Sequence, residues 1–138
     1  MNWPVIIILS FPALIMGLLS LRGMTQGIEV YLWVLLALFS VLVILRNQPD
    51  HPFIHLVMIG VFWGLINSIT QSTNFDMYLA NNARAALSFS KLPSGLNPRF
   101  FVLIVGPVSG LGIGTGMAVL AFILKKILPY IPIFQALK

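Results

Sequence analysis

Four long apolar stretches, free of charged residues in their interiors, limit the folds open to this chain more than any other feature. They lie approximately at residues 3–21, 30–45, 53–72 and 99–124. A helix needs about 20 mostly apolar residues to cross a bilayer. A charge at mid-bilayer costs roughly 2.5–3.5 kcal/mol on insertion scales. The pattern therefore predicts four transmembrane helices.

The composition excludes an ordinary soluble domain. Only 8% of the 138 residues are charged and 59% are hydrophobic, whereas soluble domains contain about 25% charged residues. The spans use most of the length, so we expect residues 1–138 to form a single all-α integral membrane bundle in a lipid bilayer. The absence of cysteine excludes disulfides, thiolate nucleophiles and cysteine metal sites.

The sizeable polar segment of the chain lies between the third and fourth spans. Asn81 and Asn82 predict an interruption of the helix, and residues 83–91 predict a short helix on the membrane surface. Asn97 followed by Pro98 is typical of a helix start, since asparagine caps helices and proline suits their first position. We therefore expect a surface helix and a loop before the fourth span.

Basic residues divide evenly between the two predicted membrane faces, so the positive-inside rule hardly favours either orientation of the chain. The face with both termini carries Arg46, Lys125, Lys126 and Lys138, and the other face carries Arg22, Arg84, Lys91 and Arg99. The N-terminal amine favours cytoplasmic termini, and we expect the cell membrane as the location. The net charge of +5 belongs to these helix ends, and the sequence contains no basic run that predicts nucleic-acid binding.

Small residues recur at spacings of four on one face of the third and of the fourth predicted helix. They are Gly60 and Gly64 in the third helix, and Gly106, Gly110, Gly114 and Ala118 in the fourth. Between membrane helices there is no hydrophobic driving force, so association depends on close backbone approach, which small residues allow. We expect the third and fourth helices to pack through these faces.

Polar residues continue the glycine face of the third helix at spacings of three and four. This candidate polar face consists of Asn67, Gln71, Asn74 and Tyr78, with Asp76 and Arg84 beside its end. Two interpretations stay open: a hydrogen bond from Asn67 to another helix, or a polar vestibule that opens toward the long loop. A cavity that reaches Asn67 favours the vestibule, and a bonded amide favours the structural role.

Asp50, His51 and His55 form the histidine–carboxylate group of this sequence. The two histidines have the spacing of metal ligands on a helix. Pro52 predicts that the helix starts after His51, however, and no third ligand is evident. We expect neither a metal nor another cofactor.

These features favour a non-enzymatic membrane component that self-associates or serves as an accessory subunit of another membrane protein. The alternative is a small-solute transporter or channel subunit that uses the candidate polar face. A membrane enzyme is the third hypothesis. It would need an acid or base near the bundle interior, and Asp76 is the residue that comes closest.

Overall fold

The computed structural model describes residues 1–47 and 51–127, in which all regular structure is helical. The helices are α1 (Trp3–Ser10), α2 (Pro12–Leu21), α3 (Glu29–Asn47), α4 (Pro52–Thr73), α5 (Phe75–Asn81), α6 (Ala83–Phe89) and α7 (Pro98–Ile127). Four segments are long and apolar enough to cross a membrane: α1 with α2, α3, α4 and α7. Their ends lie within three residues of the predicted spans.

The first of these segments is interrupted at Phe11, directly before Pro12. Proline has no N–H to donate to the carbonyl one turn earlier. The Phe11 N–H instead donates to the carbonyls of Ile7 and Ile8, at 3.1 and 3.3 Å. Because Phe11 keeps helical backbone angles (φ −57°, ψ −38°), α1 and α2 follow one another without a loop.

Helix α4 lies at the centre of the bundle. It packs against α1, α2, α3 and α7, and the pair formed with α7 is the most extensive. The core that joins these helices includes Ile6 of α1, Val41 and Ile44 of α3, and Leu56 and Ile59 of α4, all of them fully buried. Every long helix therefore contributes to one core around α4.

The ends of α2 and α7 show two standard caps. Asn97 precedes α7 and its Oδ1 accepts a hydrogen bond from the Arg99 N–H at 3.0 Å, as the sequence predicted. After α2, Gly23 adopts a positive φ of 68°, and the Met24 N–H donates to the Leu19 carbonyl at 3.1 Å. This arrangement satisfies an end carbonyl of α2 and favours glycine, which adopts positive φ without strain.

Helix α3 is the least buried of the four long segments. Its buried residues, Ser40, Val41 and Ile44, all lie in its second half. The first half packs only through half-buried side chains such as Trp33. The core therefore holds α3 mainly by one end.

Substitutions on the outer face of α3 are expected to be mild. Leu35→Ala and Leu38→Ala should each cost under about 1 kcal/mol, because these side chains are exposed and lipid or detergent replaces their contacts. Ile44→Ala, at a fully buried position, should cost about 2–5 kcal/mol. Equilibrium unfolding in detergent measures all three. An equal loss at Leu35 and Ile44 would place the outer face of α3 inside a protein interface.

Candidate functional site

Helices α4 and α7 touch backbone to backbone at their glycine faces. A Cβ atom built on Gly60 would lie 2.5 Å from the Cα of Gly114, and one built on Gly114 would lie 2.7 Å from the carbonyl oxygen of Val57. A Cβ on Gly64 would collide with the carbonyl of Gly106. No larger residue fits these positions without a backbone shift. Ala118 continues the same face of α7 and is buried.

A cavity of about 240 Å³ lies beside this contact, between α4, α7 and the first half of α3. We call it the cleft. Its wall includes Trp33 of α3, Trp63, Asn67 and Gln71 of α4, Phe89 of α6, and Phe101, Val105, Ser109 and Ile113 of α7. The α7 residues recur at a spacing of four and form one stripe beside the glycine face. The cleft is thus built where one face of α4 meets one stripe of α7.

Three polar side chains of the cleft, those of Asn67, Gln71 and Ser109, make no hydrogen bond among the described residues, whereas the Ser68 hydroxyl donates to the Leu65 carbonyl at 3.0 Å. The buried Oδ1 atom of Asn67 has no hydrogen-bond partner in this part of the chain. It points toward Gly17 of α2, and a Cβ atom built on Gly17 would lie 3.2 Å from it. Within residues 1–47 and 51–127, no side-chain hydrogen bond is made by Gln71 or Ser109 either. Within the described residues, Asn67 therefore makes no hydrogen bond to another helix, which is the bond expected if its role were structural.

Among the described residues, those that form the cleft wall include no Asp, Glu, Lys, Arg or His. Asparagine and glutamine side chains each offer an N–H donor and a carbonyl acceptor, and serine offers a hydroxyl that does both. Aromatic rings form much of the remaining wall, and the rings of Trp33 and Trp63 lie 5.2 Å apart. The cleft therefore presents uncharged hydrogen-bonding groups among aromatic and aliphatic surfaces.

The structure ends the candidate polar face at Gln71. Asn74 terminates α4 with non-helical angles (φ −115°, ψ 37°), so Tyr78 belongs to a separate helix, α5. The Asn74 amide donates to the Thr70 carbonyl at 3.1 Å and does not line the cleft. Of this spacing, Asn67 and Gln71 line the cleft and Asn74 and Tyr78 do not, because the helix stops at Thr73.

Asp76 and Arg84 also lie outside the cleft wall, and both are exposed. Asp76 forms an ion pair with Arg99 at 2.8 Å, an exposed contact of the kind that contributes at most about 1 kcal/mol. The phenol of Tyr78 is half-buried, and its pKa is raised first by burial and then by the negative charge of Glu29. Tyr78 therefore stays neutral near pH 7.

Asn81 and Asn82 have a role that the sequence did not indicate, because it depends on a helix sixty residues away. The last carbonyls of a helix have no partner within it. Asn82 Nδ2 donates to the carbonyls of Ser20 and Tyr78, at 2.7 and 2.8 Å, and Asn81 Nδ2 donates to the Leu21 carbonyl at 2.9 Å. The pair thus joins the end of α2 to the segment between α5 and α6.

Asn82→Ala is expected to destabilise the fold by about 1–3 kcal/mol, because it leaves a buried carbonyl of α2 without its donor. Asn74→Ala is the matched control, since it removes the same side chain from an exposed helix end. Thermal unfolding in detergent compares the two variants. Equal melting temperatures for the two variants would show that Asn82 does not hold α2.

His55 is buried, and both of its ring nitrogens have protein partners. Nε2 accepts the Asn2 N–H at 3.0 Å, and Nδ1 lies 2.7 Å from the His51 carbonyl oxygen, to which it donates. This arrangement leaves neither nitrogen available to a metal and ties the start of α1 to the start of α4. Asp50 lies outside the described residues, and those described contain no cluster of three possible metal ligands.

Trp33, Phe89 and Phe101 belong to the cleft, but sequence reasoning did not select them. The spacing of four from Phe101 through Val105 and Ser109 to Ile113 was a usable signal. It parallels the glycine face and places a lone serine among apolar residues. Trp33 and Phe89 had no comparable signal, because their elements reach the cleft only in the folded chain.

Comparisons with known proteins return no match: no family model, no curated protein and no solved structure resembles the chain significantly. The class is therefore defined by the structure itself. It is an all-helical bundle, in the described residues, with four helices long and apolar enough to span a membrane. Its distinguishing feature is an uncharged cleft beside a glycine-mediated helix pair.

Proposed function

We propose that this chain is an integral protein of the cell membrane that binds a small uncharged solute in the cleft, as a non-enzymatic transport or binding subunit. One observation supports this most: Asn67, Gln71 and Ser109 face a single cavity, and none of them has a hydrogen-bond partner in the described chain. Polar groups among apolar surfaces favour a hydrogen-bonding partner, and a ligand or water in the cleft would supply one to the groups that face it.

The surface of the bundle supports a membrane location. Large apolar side chains are exposed on every long helix, among them Ile8, Val30, Ile54 and Phe122. Soluble monomers rarely expose contiguous apolar surface of this extent. With the termini on the cytoplasmic side, as the N-terminal amine favours, the end of the cleft near α6 faces the other side of the membrane.

The cleft suits binding better than catalysis or open conduction. General acid–base chemistry needs an ionisable group beside the reacting atoms, and within residues 1–47 and 51–127 none lines the cleft. The cleft also stops short of Gly60 and Gly114, where the backbones of α4 and α7 are in contact. A solute therefore has a site in this conformation but no continuous pore.

The volume of the cleft limits the size of the solute. An apolar cavity of about 150 Å³ binds benzene. By that comparison, the 240 Å³ of the cleft has room for about ten non-hydrogen atoms. A small molecule with one hydroxyl or amide group and an apolar body matches the wall.

Cysteine labelling tests this proposal, since the chain has no natural cysteine. In an Asn67→Cys variant in proteoliposomes, N-ethylmaleimide should label residue 67, and benzyl alcohol should slow the labelling by about fivefold at a concentration four times its Kd. Asn74→Cys is the control for general effects of benzyl alcohol on the bilayer, because residue 74 is exposed and outside the cleft. If the cysteine of the Asn67→Cys variant reacted with N-ethylmaleimide only after unfolding, the proposal would be refuted.

Asn67→Leu should leave the free energy of unfolding unchanged or increase it, while benzyl alcohol loses its stabilising effect. An apolar residue of similar size removes a buried carbonyl that has no protein partner, so no bond is lost. Thermal unfolding with and without benzyl alcohol measures both quantities. A loss of about 1–3 kcal/mol would instead show that Asn67 is bonded within the protein.

Self-association, the function that the sequence favoured, has one supporting observation. Gly112 and Gly116 lie one turn apart on α7, and a Cβ atom on either would meet no described residue within 4 Å. We infer that a second copy or another membrane protein could approach α7 here, since paired glycines allow close helix contact. Crosslinking in proteoliposomes should capture a dimer that Gly116→Leu abolishes. A dimer unaffected by Gly116→Leu would exclude this face.

A further inference from the structure

We propose that the natural occupant of the cleft is an uncharged membrane amphiphile, which enters sideways from the bilayer between the first half of α3 and α7. This inference rests on the proposed function and specifies both the chemical class of the ligand and its route. It follows from three features of the cleft: an open side, a covered end and a neutral polar floor.

The open side lies between α3 and α7. Val41 and Ile44, in the second half of α3, belong to the same core cluster as Met117 and Ala121 of α7, so the two helices are joined at that end. The first half of α3 contains no buried residue. On α7, Val105 and Ile113 line the cleft and yet keep 40% and 43% of their surface exposed. The cleft therefore opens at its side onto the outer surface of the helices, which the bilayer surrounds.

The covered end lies at the loop side of the bundle. Phe89 of α6 lines the cleft there and packs edge-on against the rings of Phe75 and Phe101, at centroid distances of 5.1 and 6.4 Å. Three apolar rings are thus clustered at this end of the cleft. A solute from water would have to pass them, whereas an amphiphile from the bilayer would enter at the open side.

The floor of the cleft specifies an uncharged head group. Asn67, Gln71 and Ser109 offer both donors and acceptors, which a hydroxyl or amide satisfies. A phosphate or carboxylate head would find no cation among the described residues of the cleft wall, so it would lose hydration without an ionic partner. The apolar chain of the amphiphile would leave past Val105 and Ile113. Long-chain alcohols, fatty amides and monoacylglycerols have this chemistry.

Quenching of Trp63 fluorescence tests the inference, since its side chain is buried beside the cleft. A Trp3→Phe, Trp33→Phe variant leaves Trp63 as the single tryptophan of the chain. In phosphatidylcholine nanodiscs, dibromostearyl alcohol should quench Trp63 saturably, and unbrominated stearyl alcohol should reverse the quenching. Ser109→Phe should abolish the saturable quenching, because the larger ring would fill the cleft. Val108→Phe, on the exposed surface next to residue 109, should leave the quenching unchanged.

Two results would overturn the inference. Equal quenching by dibromo-phosphatidylcholine at the same mole fraction would show that the cleft does not select an uncharged head. No saturable quenching by the alcohol, together with intact protection of Asn67→Cys by benzyl alcohol, would show that the cleft binds solutes that arrive from water. If benzyl alcohol fails to protect Asn67→Cys as well, the proposed function itself is wrong.

Discussion

Gly110→Ala is expected to destabilise the bundle by about 3 kcal/mol or more, a large effect for one added methyl group. A Cβ atom at residue 110 would collide with the carbonyl oxygen of Gly60 and lie 3.0 Å from the amide nitrogen of Gly64. Both are backbone atoms of α4, so they cannot move aside as a flexible side chain would. The helices must separate, and α4 and α7 form the most extensive contact of the fold.

Gly112→Ala, two residues further along α7, should have the opposite sign. A Cβ atom there has no neighbour within 4 Å in the part of the chain that the structure describes, and alanine has a higher helix propensity than glycine by up to about 1 kcal/mol. Equilibrium unfolding in a detergent that keeps the chain monomeric compares the two variants. Similar free energies of unfolding for both would contradict the contact between Gly60 and Gly110.

Trp63→Ala is expected to cost about 3–5 kcal/mol, because it removes a large, fully buried ring from the core. The indole N–H also donates to the carbonyl of Leu9 at 2.9 Å. That carbonyl lies in the last turn of α1, where Pro12 interrupts the backbone hydrogen bonds. A neighbouring helix thus stabilises the proline break, as membrane helices with internal prolines require.

Trp63→Phe separates the two contributions. It keeps an aromatic ring and removes the N–H, so it should cost about 1–3 kcal/mol through the unpaired Leu9 carbonyl. Trp3→Phe is the control, since Trp3 is exposed and should change little. Chemical unfolding followed by circular dichroism gives all three values. A Trp63→Phe protein as stable as the wild type would show that the bond to Leu9 contributes nothing.

Local features of the sequence were sufficient to locate the long helices. The ends of α3, α4 and α7 follow from the limits of the apolar stretches, because the hydropathy of each stretch is independent of its neighbours. Asn97 caps α7, and the Asn81–Asn82 step ends α5, since both effects involve residues close in the chain. The glycine faces of α4 and α7 could also be predicted from the sequence, because a spacing of four places residues on one side of any helix.

The cleft depended on tertiary structure. Asn67 and Gln71 could be grouped by spacing, but their lack of partners is known only once the positions of α2, α3 and α7 are known. Asn74 and Tyr78 have the same spacing but lie outside the cleft wall, because α4 stops at Thr73. Phe89 lines the cleft and Asn82 caps α2, and both contacts join residues far apart in the chain. The sequence alone determined which segments are apolar helices, because the hydropathy of a segment depends on its own composition. Only packing decided which polar groups stay unpaired, because that depends on distances between helices.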